Sequence, residues 1–510
     1  MAGAPQMAQL TPQPPYVLAL DVGSSSVRAV VYDANGGVIP EVKAQRAYDS
    51  TTADDGEASI DPDLLVAAVT SVIDDVLRQA GTLAEQIAAV ATDTFWHSLI
   101  ALDASGRPLT PVLTWADTRA DAAARALAHE FDVTMIHERT GATLHTSYWP
   151  AKLRWLTQTH PDVITHAAQL VSFGEYLHRQ YLGRSVCSLS MASATGLFIT
   201  RQQTWDISLL DHLGMRPEVL PPLGDIHDAL RGLIPAYAER WRVLRDIPWF
   251  PALGDGAVAN VGSGCAVPER LALTVGTTSA MRAVVPANTV TPPPGLWLYL
   301  LDARRALLGG ALSEGGNFLA WLEKTLRLPP LTEAEPVVAA LQPDAHGLTI
   351  LPFLAGERSP GWHGDAHATI AGIQSNTSPA ELLRAGVESL AYRISAVHER
   401  LAQALLAAEA VHASPIVIGS GGTLLNSPLF RQILADTLGI PLYPLREREA
   451  SARGAALMAL EALGVLPDVS QIALDVDAPI QPDSARRAVY RKAAERQLQL
   501  YQLLLGASAV

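Results

Sequence analysis

The sequence predicts an α/β protein built from two duplicated domains around a central cleft. Three observations carry this expectation. Residues 18–31 read LALDVGSSSVRAVV and residues 271–285 read LALTVGTTSAMRAVV, the same strand–turn–strand unit half a chain apart. In each half, hairpins come first and strand–helix units follow, the order of a mixed sheet with helices packed on it. A chain of 510 residues also exceeds one core, since domains run at about 100–200 residues. Repetition at this distance marks a doubled domain, because solenoid periods are only about 20–50 residues.

Residues 1–15 are rich in Ala, Gln and Pro and lack a basic segment followed by an apolar one. They are expected to be a disordered tail and not a signal peptide. Residues 17–20 form a buried-strand run, 23–26 a small-residue turn and 27–32 a second strand, closed by the turn residues 33–37. Asp61 then caps a helix with Pro62 at its first position, apolar spacing through Leu65, Val69, Val72 and Val76, and a stop at Gly81. Residues 87–91 and 98–102 read as buried strands, with the polar and aromatic stretch 92–97 between them. Residues 114–119 lead into an Ala-rich helix, and a further helix passes through Lys152 and Trp155. The Gly- and Ala-rich stretch 250–264 is the expected junction, giving domains at 16–255 and 256–510. The second half then offers strands at 296–301, 306–310, 348–353 and 415–419. Its helices are expected from 313, over 378–407, and near 427–438 and 449–463.

A composition of 49% apolar and 17% charged residues is that of a folded enzyme. A net charge of −14 without a basic stripe argues against a nucleic-acid partner. The two cysteines, Cys187 and Cys265, fit no metal spacing and read as buried small hydrophobes in a reducing compartment. No apolar run reaches about 18 residues, so no membrane span is expected and the chain reads as cytoplasmic.

The turn Gly23-Ser24-Ser25-Ser26 would let backbone N–H groups and hydroxyls reach phosphate oxygens with no side chain in the way. Asp21, at the strand end, offers a hard carboxylate to a magnesium ion held by those phosphates. The second copy keeps Gly276, Thr277, Thr278 and Ser279 but has Thr274 in place of Asp21, so one hairpin alone carries the metal carboxylate. Gly419-Ser420-Gly421-Gly422, between a strand and a helix, permits close approach of a ligand to a helix N-terminus. A dinucleotide fingerprint is incomplete there, and no Gly-Lys pair exists for a Walker loop. Asp255, in Leu253-Gly254-Asp255-Gly256, reads as a general base whose flanking glycines leave room for a substrate hydroxyl. Asp93, His97, Asp117 and Arg119 at successive strand ends suggest a polyol pocket, beside which Phe95-Trp96 either stacks on a sugar or fills core.

Taken together, these residues resemble the FGGY carbohydrate kinases, whose two domains are ribonuclease-H-like and belong to the actin/hexokinase/heat-shock ATPase superfamily. Residues 21–28 look like that family's first phosphate motif, 276–279 its second and 419–426 its adenosine motif, and Asp255 stands where it keeps its base. Lys152-Leu153-Arg154-Trp155, and Gly372-Ile373 with Glu381, Leu382 and Glu388, resemble further patterns, with departures at Trp149 and Gly386. Residues 97–103, 114–119 and 351–358 are most similar to gluconate kinases, with Trp96 where a methionine is commoner.

The resemblance implies ATP and Mg²⁺ as cofactors and phosphorylation of a primary hydroxyl on a sugar or sugar acid. D-gluconate to 6-phosphogluconate is the first expectation; a ketopentose such as D-xylulose or D-ribulose is the alternative. It implies that Gly23, Ser24, Ser25, Ser26, Arg28, Gly276, Thr277, Thr278, Gly421, Gly422 and Asn426 hold ATP. Asp21 and Asp255 would face the metal. Trp96, His97, Asp117, Arg119 and Asp255 would hold the acceptor, an arginine suiting a carboxylate. A homodimer is compatible with it. A rival reading from another class, a nucleotide-gated binding or filament protein, is separated by whether phosphate reaches any acceptor.

Overall fold

The first repeat folds as an antiparallel hairpin of β1 (Tyr16–Val22) and β2 (Ser26–Tyr32), with Asp21 opposite Arg28. Every residue of β1 is buried, which explains an apolar run without alternation: the sheet is covered on both faces. β3 (Val38–Ala47) pairs antiparallel with β2. On the other side, β4 (Ile87–Thr94) and β5 (Leu253–Gly254) add in parallel, giving the order β5-β4-β1-β2-β3. This is a computed structural model, and it describes residues 12–506. Residues 1–11 of the expected tail lie outside the described residues.

The second repeat builds the same sheet again. Its strands are β6 (Arg270–Val275), β7 (Ser279–Pro286), β8 (Trp297–Leu300), β9 (Arg305–Leu312), β10 (Ile416–Ser420) and β11 (Leu442–Pro444). The order is β8-β9-β7-β6-β10-β11, with β9, β7 and β6 antiparallel and β10 and β11 parallel. Without the edge strand β8, the two sheets have one topology, the doubled mixed sheet that the repeat predicted.

Helix α1 (Pro62–Ala80) forms as its sequence dictates. The Asp61 side chain accepts from the N–H groups of Asp63 and Leu64, a cap worth about 1 kcal/mol, and Gly81 ends it at φ 54°. Its buried stripe, Leu65, Val69, Val72, Ile73 and Val76, packs on β2 and β3. Helix α2 (Asp255–Gly262) begins where β5 ends, so the boundary expected after Asp255 falls on the first helical residue. In the second half α3 (Pro379–Ala407) starts with a capping box of Ser378 and Glu381. Helix α4 (Ala450–Ala462) follows β11 as α2 follows β5, and α5 (Ser484–Leu505) closes the chain.

α2 and α4 cross between the sheets, and α4 also packs on β1 and β4 of the other half. Their contact needs two glycines. A Cβ on Gly262 would lie 1.9 Å from the Ala450 carbonyl oxygen, and one on Gly454 1.8 Å from that of Val258. Backbone therefore lies on backbone, and one core runs through both halves, from Val17 and Ala19 to Leu271 and Leu457. Gly454→Ala is expected to push the helices apart at a cost of about 1–3 kcal/mol, seen as a lower apparent melting temperature. An unchanged melting curve would mean that the crossing has slack.

Two expected strands leave the main sheets. Ile100–Leu102 pairs with Gln169–Val171, and Thr349–Leu351 with Thr369–Ala371. The first departure has a local cause: His97 takes a left-handed backbone, φ 66°, and turns the chain away after β4. Among the described residues, no helix is long and apolar enough to cross a membrane.

Candidate active site

Between the two halves lies a cavity of about 270 Å³. Ser24 of the first turn and Thr278 of the second line it, together with Asp255, Trp96, His97, Trp115, Trp297, Tyr299 and Arg358. The duplicated hairpins and the junction aspartate, far apart in sequence, thus share one space.

Asp255 sits on the first turn of α2, partly buried, and its Oδ1 accepts the Gly256 N–H at 2.7 Å. Burial lifts its pKa to about 6; the Gly256 N–H opposes this, the charge of Asp21 adds to it, and Arg282 opposes it. A carboxyl so placed is ionised at neutral pH yet basic enough to take a proton. The glycines around it do not leave room for a substrate hydroxyl, as the sequence suggested. A Cβ on Gly254 would lie 1.8 Å from Trp96 Nε1, and one on Gly256 2.6 Å from Trp96 Cζ3. The indole fills that space. Its Nε1 donates to the Ser190 carbonyl at 3.1 Å, and its ring stands edge-on to Trp297 and Tyr299 at 5.8 and 5.2 Å. Trp96 is both core and cavity wall.

His97 donates from Nδ1 to the Ala194 carbonyl at 2.6 Å, since a carbonyl only accepts. Burial, and then the charge of Arg358, hold its pKa well below the usual value. The ring is neutral, with Nε2 left as an acceptor for a hydroxyl. The peptide that carries it is pinned by Lys152. This buried ammonium donates to the carbonyls of His97 at 2.7 Å, Thr114 at 2.8 Å and Leu113 at 3.4 Å, and burial lowers its pKa to about 7.

Asp117 and Arg119 do not line the cavity. The Asp117 carboxylate accepts the Arg119 backbone N–H at 3.1 Å and takes Arg119 Nη2 at 2.5 Å. Arg119 also approaches Glu57 at 3.4 Å and lies over Trp155 at 4.8 Å. Its charge is spent on its own loop, so the acceptor roles expected for both residues are withdrawn. The residue that this loop presents is Trp115, whose carbonyl accepts from Ser147 Oγ at 2.8 Å.

At the other end, Asp21 is buried and paired with Arg28 Nη1 at 3.0 Å, and Arg28 Nε reaches Glu449 at 3.5 Å. Arg28 is therefore engaged with protein carboxylates, not free for a phosphate. Thr274, in the place of Asp21 in the repeat, accepts Arg282 Nη2 at 3.1 Å and contacts Ser420 Oγ at 3.1 Å. Asp93, beside Asp21 across the β1–β4 ladder, is fully buried, and neither oxygen has a donor. Burial, then the charges of Asp21 and Asp255, raise its pKa well above the usual value and favour its protonated form beside Asp21. The Gly276 carbonyl accepts from Thr423 Oγ1 at 3.0 Å, which ties the second turn to Gly421, Gly422 and Asn426 around the short helix Gly422–Leu425. These three lie outside the cavity lining.

An oxygen-only set of few carboxylates suits Mg²⁺, which keeps waters and takes its other ligands from phosphates. Asp21 and Asp255 provide such a set, with the orphaned Asp93 behind Asp21. A tight cluster elsewhere, Asp344, His346 and Glu388, is an ion-pair network. His346 Nδ1 accepts the Leu348 N–H at 3.0 Å, so Nε2 carries the proton toward Glu388 at 3.1 Å, where Arg384 Nε and the Tyr392 hydroxyl also donate.

Sequence reasoning missed Trp297, Tyr299 and Arg358 as wall residues. Trp297 and Tyr299 alternate along β8 on one face, a two-residue period that was legible.

Models for the N-terminal and C-terminal domains of the FGGY family of carbohydrate kinases match residues 16–262 and 271–463. The chain is 25% identical over 461 residues to a gluconokinase of Bacillus subtilis (strain 168), covering 88% of each. It is similar to the crystal structure of a gluconate kinase from Lactobacillus acidophilus, with 25% identity, a TM-score of 0.87, and coverage of 97% of this chain and 99% of that one. A ligand-bound xylulose kinase from the same organism stands level with it, at 26% identity, a TM-score of 0.88 and the same coverage. With two matched domain models spanning most of its length, the chain belongs to the FGGY family of carbohydrate kinases.

Proposed function

We propose that this sugar kinase transfers the γ-phosphoryl group of ATP to the primary hydroxyl of a sugar acid, D-gluconate first. The observation that carries the reading is one cavity lined by Asp255, by a serine and a threonine of the two duplicated turns, and by His97 and an aromatic wall. Phosphoryl transfer asks a protein for alignment and charge compensation more than for covalent chemistry. Asp255 accepts the proton of the attacking hydroxyl, and His97 Nε2 orients a neighbouring one. Ser24, Ser25, Ser26, Thr277 and Thr278 hold the phosphates from two sides, with Gly421, Gly422 and Asn426 next to the adenosine. Bound Mg²⁺ would neutralise phosphate charge, held on the side of Asp21 and Asp255. Arg28, paired as it is, orients Asp21. Closure of the halves keeps water from competing as acceptor. The enzyme's use of ATP supports a cytoplasmic location, where that nucleotide is abundant.

A second reading, a ketopentose kinase, is favoured by the equal likeness to the xylulose kinase. An ADP-release assay with gluconate, xylulose, ribulose and glycerol separates the two. Gluconate is expected to give the highest kcat/KM. A preference for xylulose would replace the substrate, and ATP binding without transfer to any acceptor would favour a nucleotide-gated binding protein.

A further inference from the structure

We propose that Arg358 is the specificity residue that binds the carboxylate of an acidic acceptor, an aldonate. The inference rests on the sugar-kinase reading above and names the group that reads its substrate.

Arg358 lines the cavity with Asp255 and His97. Its guanidinium lies 5.5 Å from the ring centre of Trp115 and 6.0 Å from that of Trp362. These contacts fix it while leaving its N–H donors unspent. Among the described residues it has no ion pair, and its Nε is buried without an acceptor. Other cations around the site are satisfied. Arg119 is held by Asp117, Arg282 by Asn260 Oδ1 at 3.0 Å and Thr274, and Arg393 by the adjacent Glu357. Glu357, the nearest acid in sequence, turns away to Arg393 and to the Tyr501 hydroxyl at 2.6 Å.

Arg358 is half-buried, with its Nε cut off from water and no protein acceptor among the described residues on its terminal N–H groups, an arrangement that a ligand bringing the anion would complete. The field of this charge already shows on its neighbours, helping burial to keep His97 and His145 neutral. A fork of parallel N–H groups matches a carboxylate in two bonds, which a neutral polyol cannot offer. An acceptor with a carboxylate at one end and a primary hydroxyl at the other can satisfy Arg358 while its hydroxyl goes to Asp255. Trp115, Trp297 and Tyr299 supply apolar faces for the carbons between.

The test compares wild type, Arg358→Met and Arg358→Lys on gluconate and on uncharged xylulose and ribulose, with gluconate binding measured by calorimetry and folding by thermal melting. For Arg358→Met, kcat/KM for gluconate is expected to fall on the order of 10²-fold, mostly through KM, as loss of a charge-assisted pair implies. The loss on the uncharged acceptors should be clearly smaller than that on gluconate, and the lysine variant should recover part of the gluconate loss. Equal losses on both classes of acceptor would overturn the assignment and leave Arg358 a structural residue. A wild type that turns over only uncharged acceptors and binds no gluconate overturns it too, with the sugar-kinase reading intact. If no acceptor is phosphorylated, that reading fails, and gluconate binding abolished in Arg358→Met would still support the carboxylate site.

Discussion

Asp255→Asn is expected to lower kcat by about 10²- to 10⁴-fold while nucleotide binding is retained, the range that general-base catalysis supplies. The substitution keeps the shape of the side chain, and its amide oxygen can still accept the Gly256 N–H, so the first turn of α2 should hold. What it removes is a site for the proton. The pH dependence gives a second, independent readout. With a pKa near 6, Asp255 is ionised at pH 7, and protonation on acidification disables it. kcat/KM should therefore be flat near neutrality and fall about tenfold per pH unit below about 6, an acid limb that the asparagine variant should lack. Near-normal turnover in Asp255→Asn would remove the residue from the role. An acid limb unchanged in position and size would assign the titration to another group.

The sheets were legible in the sequence because covered strands are apolar runs bounded by turn residues, and the doubled hairpin supplied their relationship. α1 was legible down to its caps, since Asp61, Pro62 and Gly81 act locally. α5 was not: over 22 residues it buries only Tyr490, Ala493, Gln497 and Tyr501, too sparse a stripe to read as amphipathic. The sugar side of the site was only half legible. Asp117 and Arg119 are the residue types for a polyol, but two residues apart in one loop they satisfy each other. Arg358 gave no such signal, because an unpaired charge is a property of what surrounds it in space. The glycines at 254 and 256 read as room for a substrate hydroxyl, but what occupies that room is Trp96, from another strand end, and no spacing rule reports that.

Asp21→Thr should leave a folded protein with a much higher magnesium requirement. The chain itself supplies the reason to choose threonine: in the second repeat Thr274 occupies the corresponding strand end, accepts an arginine and bonds Ser420, so a hairpin of this sequence folds without the acid. Arg28 would find a hydroxyl in place of the carboxylate 3.0 Å away, and would keep its contact with Glu449. The half-saturating Mg²⁺ concentration is expected to rise tenfold or more, since even residues that only orient a metal ligand are worth about 10–100-fold in affinity. A second shift tests the same charge by another route. Asp21 helps to raise the pKa of Asp255, so its removal should move the acid limb of kcat/KM to lower pH. A magnesium titration that overlays the parent's would show that the two hairpins are equivalent toward the cation, and the single-carboxylate asymmetry of the repeat would lose its functional meaning.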